Sequence, residues 1–462
     1  MIQSRKRSTG RKANKTGVRS KWVLSGIVAA AFCVGTGYGL WKGWPASLHP
    51  APQSVAEMQP PPAPKFRKAL EFAMTDFERG WIRYEDGLMT TADGGATWSP
   101  AESPPALEQP VTEEPDFRML QEAKVISEIQ IQSRAYPVKQ FQFITDRLGW
   151  ALVQDDGEAG SQLWMTTDGG VTWLAEAAET VKEAVRQEKQ LIQQRRAEAA
   201  RYASAEQAME AFRSEWHLMP KTVSQGDAVL VRRSQPGSVE WQGKTYQLQP
   251  AGTGYYTYLP VATGVKPGDY PIGDQVLKVT AQNFPKQYLQ VTEELDSMRQ
   301  DTKRIDADQA KIDKARSRSQ PEFLYNAAFL QPIEGTLTTP YGHMRYVNGK
   351  LSGSHLALDL AAKQGTPIKA ANDGVVALAD SLYLTGNSIY IDHGMGLFSQ
   401  YAHLSELRVK TGDAVKRGDI IGLVGTTGFS TGPHLHFTFW VHNVPANPHR
   451  FFNTTPFQWT DK

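Results

Sequence analysis

Hydrophobic and polar positions change their rhythm several times along this chain. From Trp22 to Trp41 no charged side chain occurs. About twenty apolar residues at 1.5 Å each match the ~30 Å core of a bilayer, so residues 22–41 read as a transmembrane helix. Trp22, Tyr38 and Trp41 stand where interfacial aromatics belong. Residues 66–174 carry a diverged repeat. Gly80-Trp81 is followed by Thr91-Ala92-Asp93-Gly94-Gly95-Ala96-Thr97-Trp98, and Gly149-Trp150 by Thr166-Thr167-Asp168-Gly169-Gly170-Val171-Thr172-Trp173. Asp-Gly-Gly calls for a tight turn with positive φ, the aspartate capping the turn amides, and Thr-x-Trp starts the next strand. This predicts a small β-module, with a helical insertion over residues 116–132. Residues 175–217 are rich in Ala, Glu, Gln, Arg and Lys and lack Gly and Pro, so they predict a solvated helix. Residues 218–283 alternate like strands, with turns at Gly226-Asp227, Gly243-Lys244 and Gly268-Asp269, and predict a small β-sandwich of immunoglobulin-like size. Residues 284–320 predict a second charged helical linker.

The last third, residues 321–462, is where candidate chemistry gathers. Leu356, Leu358 and Leu360 alternate with His355, Ala357 and Asp359. Period-two alternation predicts one strand, with the leucines in the core and both polar groups on the other face. In the same way Leu435, Phe437 and Phe439 alternate with His434 and His436. His403 follows another strand-like run, residues 387–392. Turn signals at Gly386-Asn387, Gly412-Asp413 and Gly418-Asp419, with helix signals nearly absent beyond Gly335, predict an antiparallel β-domain. Gly422, Gly425, Gly428 and Gly432 lack a following lysine, do not match a phosphate loop, and read as hairpin turns.

Two neighbouring strands that bring imidazole and carboxylate to one face can hold zinc. Two histidines and one carboxylate leave a fourth position for water, the mark of a catalytic site. Four groups compete for three places, and spacing does not choose between His434 and His436. His343, His393, His442 and His449 stand alone in a β-domain and receive no site role; His393, before a glycine turn, is expected to bond backbone.

Composition narrows the setting. With 462 residues, 40% of them hydrophobic, the chain has material for several domains, and a net charge of +2 gives no argument for nucleic acid as partner. Cys33 is the only cysteine, which excludes a disulfide framework and a cysteine-ligated metal. Eight cations lie between Arg5 and Lys21, so residues 1–21 are expected in the cytoplasm and the domains after the span outside the cell membrane. A cleaved leader would have a shorter apolar run and a small-residue site, and Ala46-Ser47 is a poor one. Residues 42–65, proline-rich with Pro60-Pro61-Pro62, form a semi-extended spacer.

The ordered motifs Pro340-Tyr341-Gly342-x-x-Arg345, His355-x-x-x-Asp359, Gly365-Thr366-Pro367, Ile391-Asp392-His393-Gly394, Tyr401-Ala402-His403-Leu404 and Gly432-Pro433-His434-Leu435-His436 closely resemble the lysostaphin-type (LytM-like) zinc metallopeptidases, with their duplicated hybrid motif fold. The resemblance covers about residues 329–452. It implies one zinc per chain on His355, Asp359 and His436, His434 as general base, His403 bonding the reacting water or the developing oxyanion, and peptidoglycan peptides as substrate. The Val223-Ser224-Gln225-Gly226-Asp227 module resembles one often found before such domains, and the Asp-Gly-Gly repeats resemble the structural Asp boxes of sialidases and β-propellers. Two copies cannot close a propeller, so that module is expected to space the chain or dock a protein partner. Ala357 stands where the family usually has glycine, and Tyr341 where it has phenylalanine.

The expectation is a mainly β, multidomain, membrane-anchored zinc metalloendopeptidase of the cell wall. The rival is a non-catalytic LytM-type adaptor that regulates other hydrolases or a membrane complex; filled ligand positions argue against it. A carbohydrate-binding protein built on the Asp boxes would leave the C-terminal histidines without a task.

Overall fold

The computed structural model describes residues 67–105, 116–122, 124–154, 162–175 and 178–461. The expected transmembrane helix at 22–41, its cytoplasmic tail and the proline-rich spacer lie outside these. Among the described residues no helix is long and apolar enough to cross a membrane.

The Asp-Gly-Gly repeats go with two four-stranded antiparallel sheets: the first turn joins the last two strands of its sheet, and the second follows the last strand and leads to a single bridge between Met165 and Leu174. One runs Ala69–Met74, Gly80–Tyr84, Gly87–Thr91, Ser99–Ala101; the other Glu128–Ile131, Arg134–Phe143, Gly149–Val153, Leu163–Thr166. In each turn the aspartate accepts bonds from both the amide and the hydroxyl of the threonine four residues on (Asp93 with Thr97, Asp168 with Thr172). Both glycines are in the left-handed region, φ 77° and 91° in the first copy and 76° and 91° in the second. The helix expected within 116–132 does not form. Ile129 and Ile131 are buried on a strand that pairs with Arg134–Phe143. Gln132 and Ser133, both at positive φ, make the tight hairpin without the usual glycine signal.

The two sheets share a core with Val181 and Val185 of helix Ala178–Ala199. A second helix, Ala205–Arg213, is capped by Ser204. Then come three sheets around one core. Their orders are Gln249–Ala251, Gly254–Pro260, Ala228–Arg233, Trp216–Met219; Thr222–Ser224, Gln275–Thr280, Gly268–Ile272; and the hairpin Ser238–Trp241 with Lys244–Gln247. Glu198 at the end of the long helix pairs with Arg232 at 3.2 Å, both side chains under 5% exposed. The helical linker expected over 284–320 begins instead as a strand. Lys286–Leu289 pairs in parallel with His343–Val347, and only then follow helices Glu293–Met298 and Thr302–Arg316.

The C-terminal part is built on an eight-stranded sheet whose main path runs Thr336–Thr339, Leu358–Ala361, His434–Val441, Leu397–Leu404, Gly386–Asp392, Gly374–Leu382, Ala414–Val415. Leu435, Phe437 and Phe439, the inward set that alternation predicts, are buried in its core together with Ile389, Ile391 and Tyr401. Gly422 is not a turn: it lies within strand Ile420–Leu423, where a Cβ would come 2.4 Å from Leu404. The one strand expected from His355 to Asp359 is broken. His355 ends Lys350–His355, the chain bends at Leu356 and Ala357, and Asp359 lies in Leu358–Ala361. The added methyl of Ala357 is fully buried, not on an open ligand face.

Candidate metal centre

The bend makes the site. After it, Asp359 sits directly opposite His436 in the antiparallel register, and Ala361 opposite His434. On the other side of that strand Ala402 faces His436, which brings His403 alongside. His355 arrives from a three-stranded ribbon formed by Lys286–Leu289, His343–Val347 and Lys350–His355. All five sequence candidates therefore meet, although His355 and Asp359 reach the site from different strands.

Three atoms converge. His355 Nε2 and His436 Nδ1 each lie 3.0 Å from Asp359 Oδ1 and 3.2 Å from one another. Zinc–nitrogen and zinc–oxygen bonds of about 2.0–2.2 Å give a tetrahedral edge of about 3.3–3.5 Å, close to these separations. The donor set of two imidazoles and a carboxylate fits zinc. His434 Nε2 stands further from Asp359 Oδ1, at 3.6 Å.

Hydrogen bonds fix two ring orientations. His434 Nδ1 lies 2.8 Å from the Gly432 carbonyl, and His403 Nδ1 lies 2.8 Å from the Thr427 carbonyl. A carbonyl only accepts, so each Nδ1 carries a proton, and in the neutral form of either ring Nε2 is the nitrogen with the lone pair. Burial lowers His403 to about 3, helped by its neighbours His436 and His434, and lowers His355 to about 4. Both rings are neutral at neutral pH. Burial pushes the Asp359 carboxyl up, but bonds from His355 and His436 outweigh it and hold the group well below the usual carboxylate range. His403 has φ 64°, a left-handed conformation uncommon outside glycine, at the strand end where its side chain meets the site.

The sequence reading missed a second layer. Arg345 Nη2 donates to Asp359 Oδ2 at 3.1 Å, and Arg345 Nε donates to Gln287 Oε1 at 3.1 Å. Gln287 in turn donates to Thr339 Oγ1 at 2.9 Å. Arg345 stood in a quoted motif without a role. Gln287 had no signal, since its stretch read as helix. Gln287, Leu289, Thr338, Phe429, His434 and His436 are among the walls of an open cleft beside the cluster. Of the isolated histidines, His343 lies opposite His355 in the antiparallel register but is not one of the three converging donors. Fully buried His393 bonds the Asp373 carbonyl and Ser399 Oγ at 2.7 and 2.8 Å, the backbone contact expected of it.

The sequence model described as "Peptidase family M23" matches residues 353–448. The peptidoglycan DD-endopeptidase ShyC of Vibrio cholerae is 44% identical over 22% of this chain and 23% of its own length. The DD-carboxypeptidase/endopeptidase Mpg of Neisseria meningitidis is 38% identical over 26% of this chain and 28% of its own. The solved catalytic domain of lysostaphin from Staphylococcus simulans covers 26% of this chain and 98% of that one at 35% identity, with a TM-score of 0.24. The chain thus spans about a quarter of the length of the curated relatives it matches. With the motifs in order and the donor atoms together, the C-terminal part of this chain is a domain of Peptidase family M23, of the lysostaphin (LytM) type.

Proposed function

We propose that this chain is a membrane-anchored zinc metalloendopeptidase that hydrolyses peptide bonds in peptidoglycan. The observation that carries the reading is the convergence of His355 Nε2, Asp359 Oδ1 and His436 Nδ1, with His434 and His403 beside them in an open cleft. The printed names of relatives, a peptidoglycan DD-endopeptidase among them, support the substrate class. The basic residues ahead of an apolar run support an anchor with the domains outside the cell.

His355, Asp359 and His436 would hold zinc, which when bound supplies a Lewis acid and a water of pKa about 7. His434 offers its Nε2 lone pair to the attacking water, takes the proton, and returns it to the leaving amine. The resemblance left His403 two tasks. A neutral ring with the proton on Nδ1 cannot donate to an oxyanion through Nε2, so His403 accepts a hydrogen bond from the water and orients it. Arg345 and Gln287 hold Asp359 in place.

The test uses the full chain, because its core is continuous with the C-terminal part. Metal analysis is expected to find about one zinc per chain, lost in His355→Ala and kept in His434→Ala. Digestion of purified peptidoglycan is expected to release peptides, with a chelator stopping it. A zinc-loaded chain that releases no fragment from any wall type would sink the enzyme reading and favour the adaptor.

A further inference from the structure

On the other side of His436 from the cleft, a second groove crosses the open face of the main sheet. Ser354, His355 and His436 line it at one end, and Gln309, Ile312 and Arg316 line it from the connector. The connector is fastened there. Ile312 packs with Leu382 and Tyr390, and Lys311 pairs with Asp380 at 2.9 Å.

Arg316, the last residue of helix Thr302–Arg316, is the unusual member. Its guanidinium lies 3.7 Å over the Trp440 ring, and that indole is fixed by its own bond to Gln400 Oε1 at 2.8 Å. The Arg316 side chain is 2% exposed. Its Nη2 reaches Asp313 at 3.3 Å, a carboxylate 59% exposed. Its Nε and Nη1 have no hydrogen-bond partner. Buried donors on a charge that arginine does not give up are costly when unmet. Cation–π contact and a place at a helix C-terminus offset part of that cost, but neither gives Nε or Nη1 a hydrogen-bond acceptor here.

We propose that Arg316 is a specificity-determining residue that receives a carboxylate of the peptide bound beside His355 and His436. The proposal rests on the peptidase reading above. A carboxylate is planar and carries two acceptor oxygens, and one of them can take an N–H from Nη1 or from Nε, which point to different sides of the guanidinium. The groove joins this cation to two of the zinc donors, so a peptide can engage both along its length. The carboxylate has two possible sources: the free end of the peptide, or an acidic side chain within it.

The experiment compares one wall-derived peptide with a free terminal carboxylate and an acidic side chain against two analogues, one amidated at the terminus and one at the side chain. The zinc-loaded full chain is assayed for kcat/KM on each. The wild type is expected to prefer the acid over one of the two amides by about tenfold or more, and the amide that fails names the source. Arg316→Gln is expected to bring that ratio close to one, mainly through KM, and Arg316→Lys to retain part of it. Equal use of acid and both amides by the wild type overturns the proposal, as does an unchanged ratio in Arg316→Gln, which would mark the residue as structural. If the wild type cleaves neither these peptides nor wall material, the enzyme reading has failed. Calorimetry of the same peptides on the chelated chain then decides: tighter binding of the acid supports the Arg316 site, and equal affinities overturn it.

Discussion

Asp359 divides its two oxygens between neighbours: Oδ1 faces His355 and His436, and Oδ2 takes an N–H from Arg345. A point charge could balance the carboxylate, but the rigid guanidinium holds Oδ2 with one N–H and Gln287 with another in a fixed geometry that a flexible ammonium does not reproduce. Arg345→Lys is therefore expected to keep the fold and weaken zinc binding by roughly 10- to 100-fold, as removing outer support for a ligand does; competition with a coloured chelator measures it. Metal-free His393 chemistry bears on stability instead. Burial lowers this ring to about 4 from its ordinary value of about 6.5, so between those values the unfolded chain binds the proton and the folded chain does not. Its contribution is full above about pH 6.5 and declines as pH falls toward 4, by up to ~1.4 kcal/mol per unit. Unfolding titrations across that window should show a shallower pH dependence in His393→Asn. A slope unchanged by the substitution would count against the burial argument. At this scale the sequence was legible where residue types are rare and ordered, as with His355, Asp359, His403, His434 and His436. It was silent on partners such as Gln287, whose role depends on which strand lies beside it.

At the scale of elements, alternation identified the buried set Leu358, Leu360, Leu435, Phe437 and Phe439, because a pleated strand with one covered face leaves that imprint, but Leu356, expected with them, is only half-buried because it stands at the bend. Alternation could not show the bend at Leu356 and Ala357. Two short strands in line have the same period as one long strand, and the join has neither glycine nor proline. Lys286–Leu289 misread for a related reason: four residues beside a charged helix do not outweigh the helical composition around them. The Asp-Gly-Gly turns were legible because their conformation needs those residue types. Asp168 accepts bonds from Thr166, Val171 and Thr172, so Asp168→Ala should destabilise its hairpin by about 2 kcal/mol. Faster amide exchange in Leu163–Thr166, with little change in Gly87–Thr91, would confirm that the loss is local; equal change in both would refute it.

Across the whole molecule, the predicted segments are more tightly joined than their compositions imply. One hydrophobic core takes in Phe117, Phe212, Tyr256, Tyr325, Phe329, Phe439 and Phe457, residues from nearly every stretch beyond the Asp-box sheets' own core. Such joins depend on shape, which a linear pattern does not record. The Glu198–Arg232 pair is part of the join. Glu198→Ala leaves a buried guanidinium without its anion and should cost about 3–5 kcal/mol, seen as a lower urea midpoint for the whole unit. Replacing both residues by apolar ones of similar size should cost less.

The parallel strand Lys286–Leu289 sets a boundary of another kind. Residues 353–448, moved into a different protein, would carry the proposed zinc donors and leave behind Arg345, Gln287 and Arg316. Such a chimera would inherit the metal without the brace on Asp359 and without the cation at the groove's far end. Exchanging bond preference between relatives would therefore require the connector to travel with the histidines.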